Sequence, residues 1–146
     1  KTSNKMCDVS DPQIKQAYDE VVASAEPGGT DWCLIKYTGR NQLGFAGKGS
    51  GGADEMCQHI DDESEAYFGF VKVCFTSGDG TARTKWVLVT YIGSDVKVMQ
   101  KAKVSVHKAS VKEVFSDFTI EVQPDQGKKD QLSQDCLIER LLSVNF

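Results

Sequence analysis

Ala66-Tyr67-Phe68-Gly69-Phe70-Val71-Lys72-Val73-Cys74-Phe75-Thr76, the turn Ser77-Gly78-Asp79-Gly80, and Thr84-Lys85-Trp86-Val87-Leu88-Val89-Thr90-Tyr91-Ile92 decide how this chain folds. Both flanking runs are rich in Phe, Val, Tyr and Trp and are apolar on both alternating sets of positions. A strand with that pattern is covered on both faces. Gly and Asp between the runs supply tight-turn chemistry, so the two are expected to pair as an antiparallel hairpin in the middle of a sheet.

Working upstream, Ser10-Asp11-Pro12 reads as a helix start, a capping side chain with Pro in the first turn. Ile14, Ala17, Tyr18, Val21 and Val22 then recur at helical spacing until Pro27-Gly28-Gly29. Trp32 to Thr38 reads as a strand, Gly39 to Gln42 as a turn, and Leu43 to Ala46 as a short second strand. A glycine-rich connector and a short helix from Ala53 to Ile60 lead to the hairpin. Downstream lie a long helix within Val96 to Phe118, a more exposed strand from Phe118 to Val122, and a terminal amphipathic helix from Asp130 to Ser143. The order αββαββαβα, around a hairpin that needs cover on both faces, gives a three-layer mixed α/β (α+β) sandwich. One domain over residues 10–146 is expected, with residues 1–9 as a flexible lead.

The long helix carries two stripes. Val104, Val111, Val114, Phe115 and Phe118 fall on one side, and Lys97, Lys101, Lys108 and Lys112 on the neighbouring side. From Arg83 to Lys112 there are seven Lys or Arg and one acid, Asp95, in a chain whose net charge is −4. A merely solvated helix face mixes both signs, so this segregation points to a surface that meets an acidic partner.

Composition and motifs exclude most other classes. The hydrophobic fraction of 40% and charged fraction of 26% are ordinary for a soluble domain, and no apolar run approaches the roughly 20 residues of a membrane span. Five dispersed cysteines without a C-x-x-C pair or nearby histidines fit reduced thiols in the cytosol, with Cys33 and Cys74, inside apolar runs, as small core residues. No metal or cofactor is expected.

Gly47-Lys48-Gly49-Ser50-Gly51-Gly52 matches G-x-G-x-x-G, but the helix after it is short, and Asp61-Asp62 come too early for a ribose-binding acid. Gly49 stands where a phosphate loop needs Ser or Thr, so the stretch is expected to be a mobile connector. His59 and His107 lack a nucleophile or carboxylate at recognisable spacing, and His107, near the buried stripe, is expected to be a packed, hydrogen-bonded imidazole. The residues offer no reaction to assign.

Phe75-Thr76-Ser77-Gly78-Asp79-Gly80 followed by Ala82-Arg83-Thr84-Lys85-Trp86-Val87-Leu88-Val89-Thr90-Tyr91-Ile92-Gly93 resembles the actin-depolymerising-factor homology (ADF-H) domain, and more narrowly its coactosin branch. Val98 to Lys103, Val111 to Val114 and Trp32 to Tyr37 extend the likeness over nearly all of Ser10 to Leu142. The resemblance implies a gelsolin-like mixed sheet of five or six strands between helix pairs, no catalytic activity, and a monomer in the cytoplasm on the actin cytoskeleton.

It further implies binding along actin filaments with little severing. Carried over by position, Arg83 and Lys85 match a basic pair used on filaments, and Lys101 matches a base near the start of the long helix. Lys103, Lys108 and Lys112 are counted with them as actin-binding candidates. Two departures weigh against severing and monomer binding: Met99 stands where the severing branch commonly has a base, and that branch's short serine-led N-terminus is not reproduced.

This reading expects the cations of both segments to converge on one accessible patch, beside Met99 and Ala102; Arg83 and Lys85 lying opposite Lys101 would break it. The alternative is an ADF/cofilin-like depolymerising module, or one that uses the same cations for anionic phosphoinositides. Nucleic acid is disfavoured by the acidic total and by the lack of aromatic residues between the lysines.

Overall fold

In a computed structural model describing residues 7–23 and 29–144, the hairpin is the centre of the molecule. Its strands, β3 (Ala66–Thr76) and β4 (Ala82–Ile92), pair antiparallel along their whole length. On one side β3 pairs with β1 (Trp32–Gly39), which pairs with β2 (Gln42–Gly49); on the other, β4 takes β5 (Ile120–Val122) in parallel. The five-stranded mixed sheet runs β2-β1-β3-β4-β5.

Because β3 and β4 are apolar on both alternations, each face can hold a helix pair, and each does. Ile14, Ala17, Tyr18 and Val21 of α1 (Pro12–Ala23) and Val104, Val111 and Phe115 at α3 (Val98–Val114) pack on Phe68, Phe70, Leu88 and Ile92. Ala53 and Met56 of α2 (Gly52–Gln58) and Leu137 and Leu141 of α4 (Gln134–Leu142) pack on Tyr67, Val71, Val87, Val89 and Tyr91. The three layers follow from the sequence pattern, with α3 as the crossover that returns the chain to the parallel β5.

Some boundaries differ from expectation. The terminal helix is divided: Lys129–Leu132 form a 3-10 turn, and Ser133, whose hydroxyl accepts from Cys136 N at 3.3 Å, restarts the chain as α4. A capping serine inside an amphipathic run wins over the run. The long helix is shorter than Val96 to Phe118, and β5 shorter than Phe118 to Val122.

Cys7 to Val9, counted in the lead, lie against β2 instead. Asp8 N–H donates to Asn41 O at 2.7 Å, Leu43 N–H donates to Asp8 O at 2.9 Å, and Cys7 and Val9 are buried. Residues 1–6 of that lead, and Pro27-Gly28 of the first helix end, fall outside the described residues. Cys74, expected in the core, is exposed, because its side of the sheet is uncovered at the hairpin end; Cys33 is buried as expected.

The glycine-rich stretch is not a connector. Gly47, Lys48 and Gly49 belong to β2, and Gly52 opens α2. Among the described residues no helix is long and apolar enough to cross a membrane, and no cluster of His, Cys, Asp and Glu could hold a metal ion.

Candidate functional site

Sheet parity assigns the hairpin cations to one face. Arg83 stands opposite Phe75 and Lys85 opposite Val73, and both partners belong to the layer under α2 and α4. Arg83 lines a hollow of about 260 Å³ with Phe75, Leu141, Leu142 and Val144. The hairpin tip therefore meets the end of α4, where Leu142 in its last turn and Val144 just beyond it are exposed apolar residues. The tip is held by Asp79, whose carboxyl is pulled down to about 2 by hydrogen bonds from the Ser77 hydroxyl and Thr81 N–H. Arg83 is only loosely paired with Asp79, at 3.8 Å, and remains a third exposed.

α3 belongs to the opposite layer. Its buried side is Val104, His107, Ser110 and Val111, so at 100° per residue the opposite side is Val98, Ala102, Ser105 and Ala109, and Met99 and Val106 extend it toward Lys103 as exposed apolar residues. Met99 is 80% exposed and Val98 78%. The lysines stand on the flanks of this apolar crest. Lys108 donates to Gln123 Oε1 at 2.8 Å, and Lys112 pairs with Glu121 Oε2 at 2.5 Å, so these two bind α3 to β5 and to the residue that follows it. Among the described residues the ammonium groups of Lys97 and Lys101 have no ion-pair partner. Lys103 flanks the other side and lines a groove of about 410 Å³ with Asn41, Met99, Ala102, Val106 and His107.

His107 is packed beneath that groove, 3% exposed, with Nδ1 2.7 Å from the Tyr37 hydroxyl. Burial, and then the Lys103 charge, lower its pKa. Burial raises that of Tyr37. A packed, hydrogen-bonded imidazole is what the sequence implies.

The expected single patch does not exist. Arg83 and Lys85 point to the α2/α4 face, whereas Lys101 and Lys103 belong to α3 on the other. They are also at opposite ends of β4. Gln100 and Lys103 line a second hollow with Ala66, which pairs with Ile92, whereas Lys85 is seven residues earlier in the strand. At about 3.3 Å per residue that is about 23 Å. The structure thus holds two cationic surfaces, each beside exposed apolar side chains, and the one-patch arrangement is given up.

The sequence points to Met99 and Ala102 but not to Val106, to Leu142 at the end of α4 or to Val144 beyond it. The spacing Met99, Ala102, Val106 (i, i+3, i+7) was there to be read as an apolar stripe outside the buried one. Nothing local in Leu142 or Val144 announces the hairpin tip as neighbour.

Gly47 to Gly52 cannot cradle a phosphate, because its donors are occupied. Gly51 N–H donates to Glu55 Oε1 at 2.9 Å and Gly52 N–H to Asp31 Oδ1 at 3.0 Å, while Trp32 Nε1 donates to the same Glu55 oxygen at 2.8 Å. The Trp32 and Gly51 donors keep the Glu55 pKa low.

Residues 6–142 match the model of the family described as cofilin/tropomyosin-type actin-binding protein. Coactosin of Dictyostelium discoideum is 44% identical over 117 residues, covering 80% of this chain and 78% of that protein. Coactosin-like protein of Homo sapiens is 36% identical over 93 residues, 62% of this chain and 61% of its length. A crystal structure of human coactosin-like protein superposes with a TM-score of 0.80 at 26% identity, covering 94% of this chain and 99% of that one.

Proposed function

The chain belongs to the cofilin/tropomyosin-type actin-binding family, on its coactosin branch, and from that premise we propose that it binds the sides of actin filaments through the two cationic surfaces. A fold and family of actin-binding proteins, not of enzymes, supports a binding role without catalysis. The observation that carries the reading is the sign segregation: a chain of net charge −4 gathers seven cations and one acid between Arg83 and Lys112.

Arg83 and Lys85 at the hairpin end, with Leu142 and Val144 beside them, form one contact. Lys101 and Lys103, with the Met99, Ala102 and Val106 crest between them, form the other. Lys108 and Lys112 are minor, since Lys108 is held by the Gln123 amide and Lys112 is paired with Glu121 of β5. Each exposed pair with an acidic group on actin contributes about 0.2–1 kcal/mol, so affinity is moderate and most of the charge effect is on encounter rate. Met99 in place of a base supports modulation of filaments with little severing. The protein acts in the cytoplasm, as a monomer.

High-speed co-sedimentation with filamentous actin tests this. Lys85→Glu combined with Lys101→Glu removes the protein from the pellet while its thermal unfolding stays that of wild type; an undiminished pellet fraction refutes the proposal. Vesicles carrying anionic phosphoinositides, run in parallel, distinguish lipid from filament binding.

A further inference from the structure

We propose that Ser105 of α3 is a phosphorylation site for a serine kinase with an acidic substrate cleft, and that the added phosphate withdraws the α3 surface from the filament; the second part rests on the filament binding proposed above. Ser105 is exposed, on the side of α3 turned away from Val104, His107, Ser110 and Val111. At about 100° per residue it lies about 40° from Lys101 and about 60° from Lys108, between those cations and the apolar side chains of Ala102 and Val106. Val96 to Lys112 holds five lysines and no acid, so an enzyme with an acidic cleft is attracted to this segment and finds Lys101 and Lys103 before the serine and Lys108 after it. Ser110, the other hydroxyl of the helix, is buried.

A kinase takes its serine in an extended segment, so α3 has to open locally, and its start is the part least able to resist. Lys97 at the N-cap makes no side-chain capping bond, no acid stands in the first turn, and the first buried residue is Val104. Uncapped N–H groups and lysines at the positive end of the helix dipole favour fraying, and unwinding as far as Ser105 exposes only the Val104 side chain from the core. In the transfer, Ser105 Oγ attacks the γ-phosphorus of ATP, the hydroxyl proton passes to the base of the kinase, the bond from that phosphorus to its bridging oxygen breaks, and ADP leaves.

The product carries a charge of about −1.5 to −2. Once the helix re-forms, the phosphate is within reach of Lys101, one turn before it, and of Lys108, one turn after. Lys101 is then engaged inside the molecule, and the middle of the α3 surface turns from positive to negative before an acidic filament. Arg83 and Lys85, on the other face of the sheet, keep their charge, so binding is weakened and not abolished.

The test incubates the full chain with the catalytic domain of a serine kinase that selects basic surroundings, and with magnesium ATP. A single phosphate is taken up, located at Ser105 by mass spectrometry; Ser105→Ala takes up none, and Lys101→Ala/Lys103→Ala slows labelling by about tenfold. The phosphorylated chain, purified by anion exchange, needs about tenfold more filamentous actin for half-maximal co-sedimentation, unfolds thermally no earlier than the unmodified chain, and regains binding after phosphatase treatment. The pellet fraction of Ser105→Ala does not respond to the kinase. No label, label that persists in Ser105→Ala, or a rate indifferent to the two lysines overturns the site. Label at Ser105 with co-sedimentation unchanged overturns the switch and leaves filament binding standing. An unmodified chain that stays out of the pellet overturns filament binding, and the switch with it, while the labelling by itself still decides the site.

Discussion

His107 shows how one buried side chain makes the fold sensitive to acid. Its imidazole lies between α3 and β1, 2.7 Å from the Tyr37 hydroxyl, and burial and the Lys103 ammonium both oppose its protonation. The unfolded chain has an ordinary histidine near 6.5, so it takes up the proton first as pH falls. The stabilisation is therefore complete above pH 6.5 and is lost as pH drops through the lower folded value. The urea midpoint of wild type falls between about pH 7 and about pH 5.5, before most carboxylates titrate, and that of His107→Gln falls less. Parallel slopes for the two proteins would show that another group titrates. His107 was legible because its helical position placed it beside Val104 and Val111. Cys74 departs from its core expectation because an apolar run shows that a strand is covered without showing where along the strand the covering helix ends.

At the scale of elements, glycine is the ambiguous letter. Gly47 to Gly52 carries the composition of a loop, yet half of it is strand. The reason is space: a Cβ on Gly49 would lie within contact distance of Glu55 Oε1 and 2.7 Å from Trp32 Nε1, where the indole donates to that carboxylate. The glycine admits a large buried ring, and that information resides in Trp32 and Glu55, far away in sequence. Gly49→Ala forces the pair apart and lowers stability by about 1–3 kcal/mol, measured by chemical denaturation, with Trp32 fluorescence reporting the disturbed site. A cost near zero would mean that the packing relaxes freely.

The contact between α3 and β5 gives the converse case. Helical spacing makes Lys112 a binding cation, but it pairs with Glu121 at 2.5 Å, with both side chains more than a third exposed. Lys112→Ala costs less than about 1 kcal/mol of stability. In filament co-sedimentation it weakens binding less than Lys101→Ala does, because the Lys101 ammonium is uncommitted among the described residues. The opposite ranking would return Lys112 to the binding surface. Helical spacing alone put these lysines in one stripe; what distinguishes them is the strand that returns beside the last turns.

For the whole molecule, layer order was legible and facing was not. Apolar residues on both alternations of β4 require helices on both sides. The same doubling hides which alternation α3 covers, so parity could not tell that Arg83 and Lys85 face away from it. That distinction also governs the response to salt. A net charge of −4 means that the molecule as a whole repels an acidic filament at long range, while each cationic surface attracts it at short range. Raising ionic strength from about 0.01 M to about 0.1 M shortens the Debye length from about 30 Å to about 10 Å. Over that interval the long-range repulsion is suppressed first, and the close contacts of Lys85 and Lys101 lose strength only once screening reaches a few ångströms. Filament binding followed by co-sedimentation across a salt series is therefore flat or rising at the low end and falls above it. Lys85→Glu/Lys101→Glu, with the local attraction removed, lacks the falling limb. A monotonic loss from the lowest salt onward would mean that attraction dominates at every distance, which a chain with this balance of charge does not supply.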